Sequence, residues 1–185
     1  MRGHEFEEVA IPHTPALLRT AVRVCQEQST AEDLVQETLL RAWSSFSSFR
    51  PGSNCKAWLF TIMLNLWSRR RRTLALEPQR IESLEEIESG RQALVDERIL
   101  LRQVLTHLHD LPSEQRVVLL LSAVEGFTIR EIAAMVAVPV GTVASRLARA
   151  RMTLRQKISR PQQQESSRLH QGAVAHKFCW SYKKN

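Results

Sequence analysis

The sequence predicts an all-α protein of two small helical domains joined by a linker, the C-terminal one built on a helix-turn-helix. Three observations carry this. Apolar residues recur at helical spacing along most of the 185-residue chain. No stretch alternates apolar and polar residues between turn signals, as a half-buried strand would. Glycine is scarce and stands where turns are expected, at Gly52, Gly126 and Gly141, with Gly90 in a polar stretch between two apolar-rich blocks. The expected boundaries are an N-terminal extension 1–14, a first domain 15–73, a linker 74–97, a second domain 98–160 and a flexible tail 161–185.

The first domain opens with a helix whose residues Leu17, Leu18, Ala21, Val22 and Cys25 share one face. A second helix is expected from Thr30 as N-cap, with Glu32 and Asp33 in its first turn, where carboxylates interact favourably with the helix dipole. It runs through Leu34, Thr38, Ala42 and Trp43 to the Ser-rich turn 44–48. After Pro51-Gly52 a third helix starts near Asn54. Its middle, Ala57 to Leu64, is apolar nearly all round, which places it at the centre of a bundle.

The linker carries seven carboxylates against Arg80 and Arg91, a net charge of −5, and its composition is that of a solvated acidic segment. The second domain opens with a helix marked by Leu94, Ile99, Leu101, Val104, Leu105 and Leu108. Pro112-Ser113 punctuates it, and an apolar helix from Val117 to Val124 then ends at Gly126, the residue type best suited to the left-handed turn after a helix. Beyond Arg160 the run Gln162 to Ser167 is polar and of low complexity, so irregular structure is expected there.

The strongest local signal lies between Thr128 and Lys157. Thr128-Ile129-Arg130-Glu131 has capping-box spacing, and Ile132, Ala133 and Val136 give the helix that follows a narrow apolar face. Val138-Pro139-Val140-Gly141 breaks it, since Pro139 cannot continue one helix but suits the first turn of the next. In that next helix Val143, Leu147, Ala150, Leu154 and Ile158 fall in a single stripe at 3.6 residues per turn. Ser145, Ala148, Arg149 and Met152 then point away from the core, and Arg146, Arg151 and Arg155 flank them. Small residues at the start of an exposed face let a helix enter a DNA major groove, where arginines reach guanine edges or phosphates.

Charge and composition narrow the function further. With 26 Lys and Arg against 19 Asp and Glu, the net charge of +7 points to a polyanionic partner, nucleic acid first. The cysteines Cys25, Cys55 and Cys179 have no Cys-x-x-Cys spacing and their odd number cannot close a disulfide set, so a reducing cytoplasm is expected, with Cys25 and Cys55 as buried structural thiols. The N-terminus lacks an apolar signal region, and no apolar stretch is long enough to span a membrane. An enzyme finds little support. His107 and His109 are two apart on a helix and cannot face one ligand together, and no metal-ligand spacing or phosphate-binding Gly-rich loop accompanies them, so no cofactor or metal is expected.

At the end of the third helix, Arg69 to Arg72 cover all sides of the helix. Some of these side chains must be solvated or bound to anions, although a basic helix C-terminus is favoured by the dipole alone. Asn65, just before them, has the chemistry to hydrogen-bond a base.

Taken together these segments resemble the extracytoplasmic-function sigma factors, the smallest members of the major bacterial sigma family, over about Pro15 to Arg160. Ala31-Glu32-Asp33-Leu34-Val35-Gln36-Glu37-Thr38-Leu39-Leu40-Arg41-Ala42-Trp43 resembles the family's polymerase-binding helix. The resemblance implies that Asp33, Gln36, Glu37, Leu40 and Arg41 face core RNA polymerase. Phe49 to Asn54 and Lys56 to Ile62, followed by Asn65, resemble the segment that recognises and melts the minus-ten element, for which Asn54, Lys56, Asn65, Arg69 and Arg70 are the candidates. Leu111-Pro112, Gln115-Arg116, Gly126, Glu131-Ile132-Ala133 and Gly141 to Arg151 resemble the unit that reads the minus-thirty-five element. That resemblance implies base contact by Ser145 and Arg149 and phosphate contact by Thr142 and Arg146. Ala144 stands where relatives commonly carry Lys or Arg, so the sequence read here is expected to differ.

What the resemblance implies is a non-catalytic, cytoplasmic specificity subunit whose partners are core polymerase, through its clamp and flap, promoter DNA and an anti-sigma factor. The acidic linker would thread the polymerase cleft as a mimic of nucleic acid. The competing reading is a stand-alone helix-turn-helix regulator that binds a two-fold operator as a dimer. It accounts for the second domain equally well, but not for a second basic segment, Asn65 to Arg72, beside a helix of mixed character.

Overall fold

A computed structural model of the chain describes the backbone of residues 2–74 and 104–175, and the side chains of residues 3–73 and 104–158. The acidic linker, most of the helix expected over Leu94 to Leu108, and Cys179 lie outside the described residues. Among those residues there are helices and turns and no strand.

The first block contains α1 (Arg2–Val9), α2 (Thr14–Cys25), α3 (Gln28–Ser45) and α4 (Cys55–Leu74). Leu17, Ala21 and Val24 of α2, Leu34, Val35 and Ala42 of α3, and Leu59, Phe60, Met63 and Leu64 of α4 are buried together. As its apolar middle predicts, α4 packs against both α2 and α3. Thr38, fully buried among these residues, spends its hydroxyl on the Leu34 carbonyl one turn back (2.7 Å), so burying it leaves no donor unpaired.

Two starts differ from the sequence reading. The extension 1–14 contributes the helix α1, whose Phe6 is buried edge-on to both Trp43 and Phe46 with centroids 5.2 Å apart, and Ala10 is fully buried. Helix α3 begins at Gln28, two residues before the expected cap at Thr30. Gln26 takes the left-handed conformation (φ 66°) and its N–H closes on the Val22 carbonyl, so α2 ends in one residue and the extended Glu27 can cap α3 at once. Thr30 lies in the first turn and donates, with Ser29, to the Glu27 carboxylate.

The second block contains a helix that includes residues 104–109 (α5), then α6 (Ser113–Ala123), α7 (Ile129–Met135) and α8 (Val140–Ala175). Gly126 at φ 77° supplies the reversal between α6 and α7. The capping box at Thr128 is complete: the Glu131 N–H donates to the Thr128 hydroxyl, and the Thr128 N–H donates to the Glu131 carboxylate (2.8 Å). Helices α7 and α8 meet at 109°, within the range of a helix-turn-helix. Val143, Leu147 and Ala150 are buried as the stripe predicts.

The tail departs from expectation, because α8 does not stop near Arg160 but continues to Ala175. The residues Gln162 to Glu165 and Arg168 to His170 are mostly straight-chain types with good helix propensity, and extending an existing helix costs less than nucleating one. A polar composition therefore did not signal an irregular backbone.

Thr128→Ala removes the cap hydroxyl and should cost about 1 kcal/mol. Urea unfolding would show this as a lower midpoint with an unchanged slope.

The two blocks touch. The Arg116 guanidinium, on α6, is buried and donates to the His109 carbonyl (3.0 Å) and to the Val24 carbonyl (3.4 Å) in the last turn of α2, where a helix leaves its carbonyls without intrahelical partners. Gln26 of the first block donates to the same His109 carbonyl (3.0 Å).

Candidate nucleic-acid interface

On α8 the expected outward face is exposed at Ala148, Arg149 and Met152 but not at Ser145, which is half-buried. Ala144, Ala148 and Arg149 are exposed, Met152 is 56% exposed, and Arg151 and Arg155 stand free at the sides. Small residues at the N-terminal end and cations further along leave a surface that can approach a groove closely without steric conflict. Thr142 and Ser145 are half-buried, with the Ser145 hydroxyl donating to the Thr142 carbonyl (3.0 Å). Arg146 differs from the simple expectation of a waiting phosphate ligand: its guanidinium lies 2.5 Å from the Glu114 carboxylate of α6. A phosphate must compete with that carboxylate.

In the first block, Asp33, Gln36, Leu40 and Arg41 are exposed on one face of α3, and Glu37 is half-buried beside them. Leu40 is 68% exposed and Trp43 48%, an apolar strip with polar neighbours at helical spacing. Glu37 pairs with Arg70 of α4 at 2.5 Å, so one residue expected to face a protein and one expected to face DNA hold each other. Of the remaining arginines, Arg69, Arg71 and Arg72 are exposed and Arg71 lies over the Trp67 ring at 5.0 Å.

Asn65 is exposed and borders a groove of about 420 Å³ between the blocks, walled by Leu64, Val117 and Met135 and rimmed by Arg71, Arg72 and Arg146. Two other candidates at the start of α4 are already engaged. The Asn54 side-chain oxygen accepts from the Ala57 N–H (3.0 Å), which caps α4, and Lys56 reaches across to the second block. The structure thus gathers Asn65 and the arginines of α4 at one end and separates them from Asn54 and Lys56 at the other.

The residue sequence reasoning missed is Glu125. It stands at the end of the apolar run of α6, and its carboxylate has no exposed surface. The Arg19 guanidinium and Thr20 hydroxyl of α2 each donate to one carboxylate oxygen (2.9 Å), and Lys56 Nζ lies 2.9 Å from the other and 2.9 Å from the Glu125 carbonyl. Burial by itself would raise this carboxyl, but the bonds from Lys56, Thr20 and Arg19 outweigh it and hold it below its ordinary range. A carboxylate in an otherwise apolar segment was the available signal. Glu131 is also held low, by Thr128 first and by a hydrogen bond from Asn54 as well.

The cysteines are placed as inert thiols: burial pushes Cys25 up to about 11 and raises Cys55 too, so neither is a thiolate at neutral pH. Among the described residues no three His, Cys, Asp or Glu side chains come together as metal ligands, and no single helix is long and apolar enough to cross a membrane.

Comparison with known proteins places this geometry. Residues 11–76 match the family model for Sigma-70 region 2, and residues 101–154 match that for Sigma-70 region 4. The chain is 37% identical over 145 residues to the ECF RNA polymerase sigma factor EcfG of Rhodopseudomonas palustris, covering 76% of this chain and 77% of that protein. Among solved structures it resembles the sigma factor RpoE in complex with the anti-sigma factor NepR from Bartonella quintana, with a TM-score of 0.74, 32% identity, and coverage of 84% and 97%. It also resembles CnrH in complex with the cytosolic domain of CnrY, with a TM-score of 0.61, 27% identity, and coverage of 85% and 89%.

Proposed function

The chain belongs to the extracytoplasmic-function sigma factors of the sigma-70 family, and from that premise we propose which of its surfaces does which task. Such a factor binds core RNA polymerase and promoter DNA and directs transcription initiation. In this reading the α3 face of Asp33, Gln36, Glu37, Leu40 and Arg41 grips core polymerase. Helix α4, through Asn65, Arg69 and Arg70 with Asn54 and Lys56 at its start, captures the opened minus-ten element, and α8 reads the minus-thirty-five duplex. The protein acts in the cytoplasm, has no catalytic step of its own, and responds to stress under an anti-sigma factor, as the partners named for its structural relatives support.

The observation that carries the reading is the outward face of α8. The buried stripe Val143, Leu147 and Ala150 fixes the helix rotation, and a capped short helix fixes its angle, so Ala144, Ala148 and Arg149 are presented to a groove. Unpairing the minus-ten element costs a few kcal/mol, which base capture and polymerase contacts must offset together. Free chain should therefore bind promoters poorly.

The test is run-off transcription from a promoter library with core polymerase alone, this chain alone and the two together. Initiation at a defined two-part promoter only in the mixture supports the reading. Protection of a symmetric site by the chain alone, with no new initiation, would replace it by the dimeric regulator. Within a positive result, Arg149→Ala should weaken minus-thirty-five recognition about ten-fold and relax preference at one base position.

A further inference from the structure

We propose that Glu114 competes with the DNA backbone for Arg146 and so keeps one sequence-independent contact of α8 out of play. The proposal rests on the reading of α8 as the minus-thirty-five unit. Glu114 lies in the first turn of α6, where the helix dipole favours a negative charge, and α6 packs against α8. Its Oε2 lies 2.5 Å from Nη2 of Arg146, the residue just before Leu147 of the buried stripe. Both partners belong to the second block, so the pair does not depend on contact with the first. Their exposures differ: the Arg146 side chain is 22% exposed and that of Glu114 59%. The cation is drawn in against α6, and the outer member of the pair is the carboxylate. Lys157, further along α8, is held by the Asp110 carboxylate in the same way (2.5 Å). Arg149, Arg151 and Arg155 have no carboxylate partner among the described residues, so pairing sorts the cations of α8 rather than neutralising them all.

Phosphate contacts supply affinity on any sequence, whereas base contacts choose among sequences. Each phosphate neutralised by a protein cation steepens the dependence of log affinity on log salt by about 0.9. A cation already paired with a carboxylate adds nothing of the kind, because binding a phosphate only exchanges one anion for another. In water such a pair separates at little cost, but beside DNA the freed Glu114 faces the same phosphates that took its partner. That repulsion makes the competition effective. Arg149, one turn on and unpaired, keeps its reach to a base. Helix α8 thus holds any duplex more loosely than its arginines suggest, with no loss of discrimination, and depends on core polymerase to stay at a promoter.

Holoenzyme assembled from core polymerase and the full-length chain tests this on a promoter duplex and on the same duplex with its minus-thirty-five element scrambled, titrated by fluorescence anisotropy from about 50 to 200 mM salt. Glu114→Gln should tighten binding to both duplexes about three- to ten-fold at the low-salt end and steepen the slope of log affinity against log salt by about 0.9. The ratio of affinities for the two duplexes should stay as it is in the parent. Adding Arg146→Gln to Glu114→Gln should abolish both gains, because the gains are the Arg146 contact. A purely structural tie between α6 and α8 would instead move the melting temperature and leave the slope alone. An unchanged slope in Glu114→Gln, a changed ratio, or a gain that survives Arg146→Gln overturns the proposal. If Glu114→Gln alters the circular dichroism spectrum, Glu114→Ser, which frees Arg146 in the same way, decides in its place. Run-off transcription by the parent chain with core polymerase reports separately on the functional reading, so failure there is not confused with failure of the competition.

Discussion

Replacing Leu40 with aspartate is expected to weaken binding to core polymerase about 100-fold, a loss near 3 kcal/mol, without measurable unfolding. The two halves of that expectation come from the same number. Leu40 is 68% exposed, so its side chain contributes little to the core, and an exposed substitution away from special features usually moves stability by less than about 0.5 kcal/mol. An exposed leucine between Gln36, Glu37 and Arg41 on one helix face is, however, the apolar centre of a patch with a polar rim, the arrangement in which a few residues carry most of an interface's energy. An aspartate there places an unpaired charge in the contact. Trp43 would be a poorer probe although it is also exposed, because its ring packs edge-on against Phe6 and its loss would disturb α1. Competition binding to core polymerase and a thermal melt settle the matter. An unchanged melt with binding within three-fold of the parent would mean that this face of α3 is not the polymerase surface.

How much of this was legible in the sequence follows from how local each signal is. The capping box at Thr128 needs only four residues, and the stripe Val143-Leu147-Ala150 needs only helical geometry, so the helix-turn-helix and its outward face could be placed before any tertiary contact was known. Helix α1 could not. Its sequence holds Phe6 as its one large apolar residue apart from Val9, and what makes that face a core face is the pair Trp43 and Phe46 some 40 residues on. The start of α3 was misplaced because Thr30 is a better cap by type than Glu27, and the left-handed Gln26 that decides the matter carries no glycine-like signal.

The candidate site divides the same way. Exposure of Arg149, Leu40 and Asn65 follows from periodicity, whereas the pairings do not: Glu37 with Arg70 and Arg146 with Glu114 join different helices, and Lys56 joins α4 to Glu125 in the turn after α6. Four residues read as ligands for partners, Glu37, Arg70, Arg146 and Lys56, therefore already have intramolecular ones. The cost of replacing these partners belongs in any account of binding. Arg146 and Arg70 are partly exposed and release carboxylates to solvent cheaply. Lys56 does not, because its partner is buried and must be rehydrated as the blocks separate.

Phe60→Ala is expected to be the most destabilising single change in the first block, about 3–5 kcal/mol, against a total domain stability of order 5–15 kcal/mol. Phe60 is fully buried in the middle of α4, where that helix meets the cores of α2 and α3, and truncation leaves a ring-sized void that packed neighbours fill only in part. The same ring also meets Phe127, which gives the residue two roles that differ in energy. Phe60→Leu keeps most of the core volume and should cost about 1.5 kcal/mol or less, yet it removes the edge-on contact. A double-mutant cycle of Phe60→Leu with Phe127→Leu in urea unfolding should then return a coupling of about 0.5–1.5 kcal/mol if the two blocks stay in contact in the free chain. A coupling near zero beside a large loss for Phe60→Ala would place Phe60 in the first block's core alone, and the contact with Phe127 would then contribute nothing to holding the blocks together.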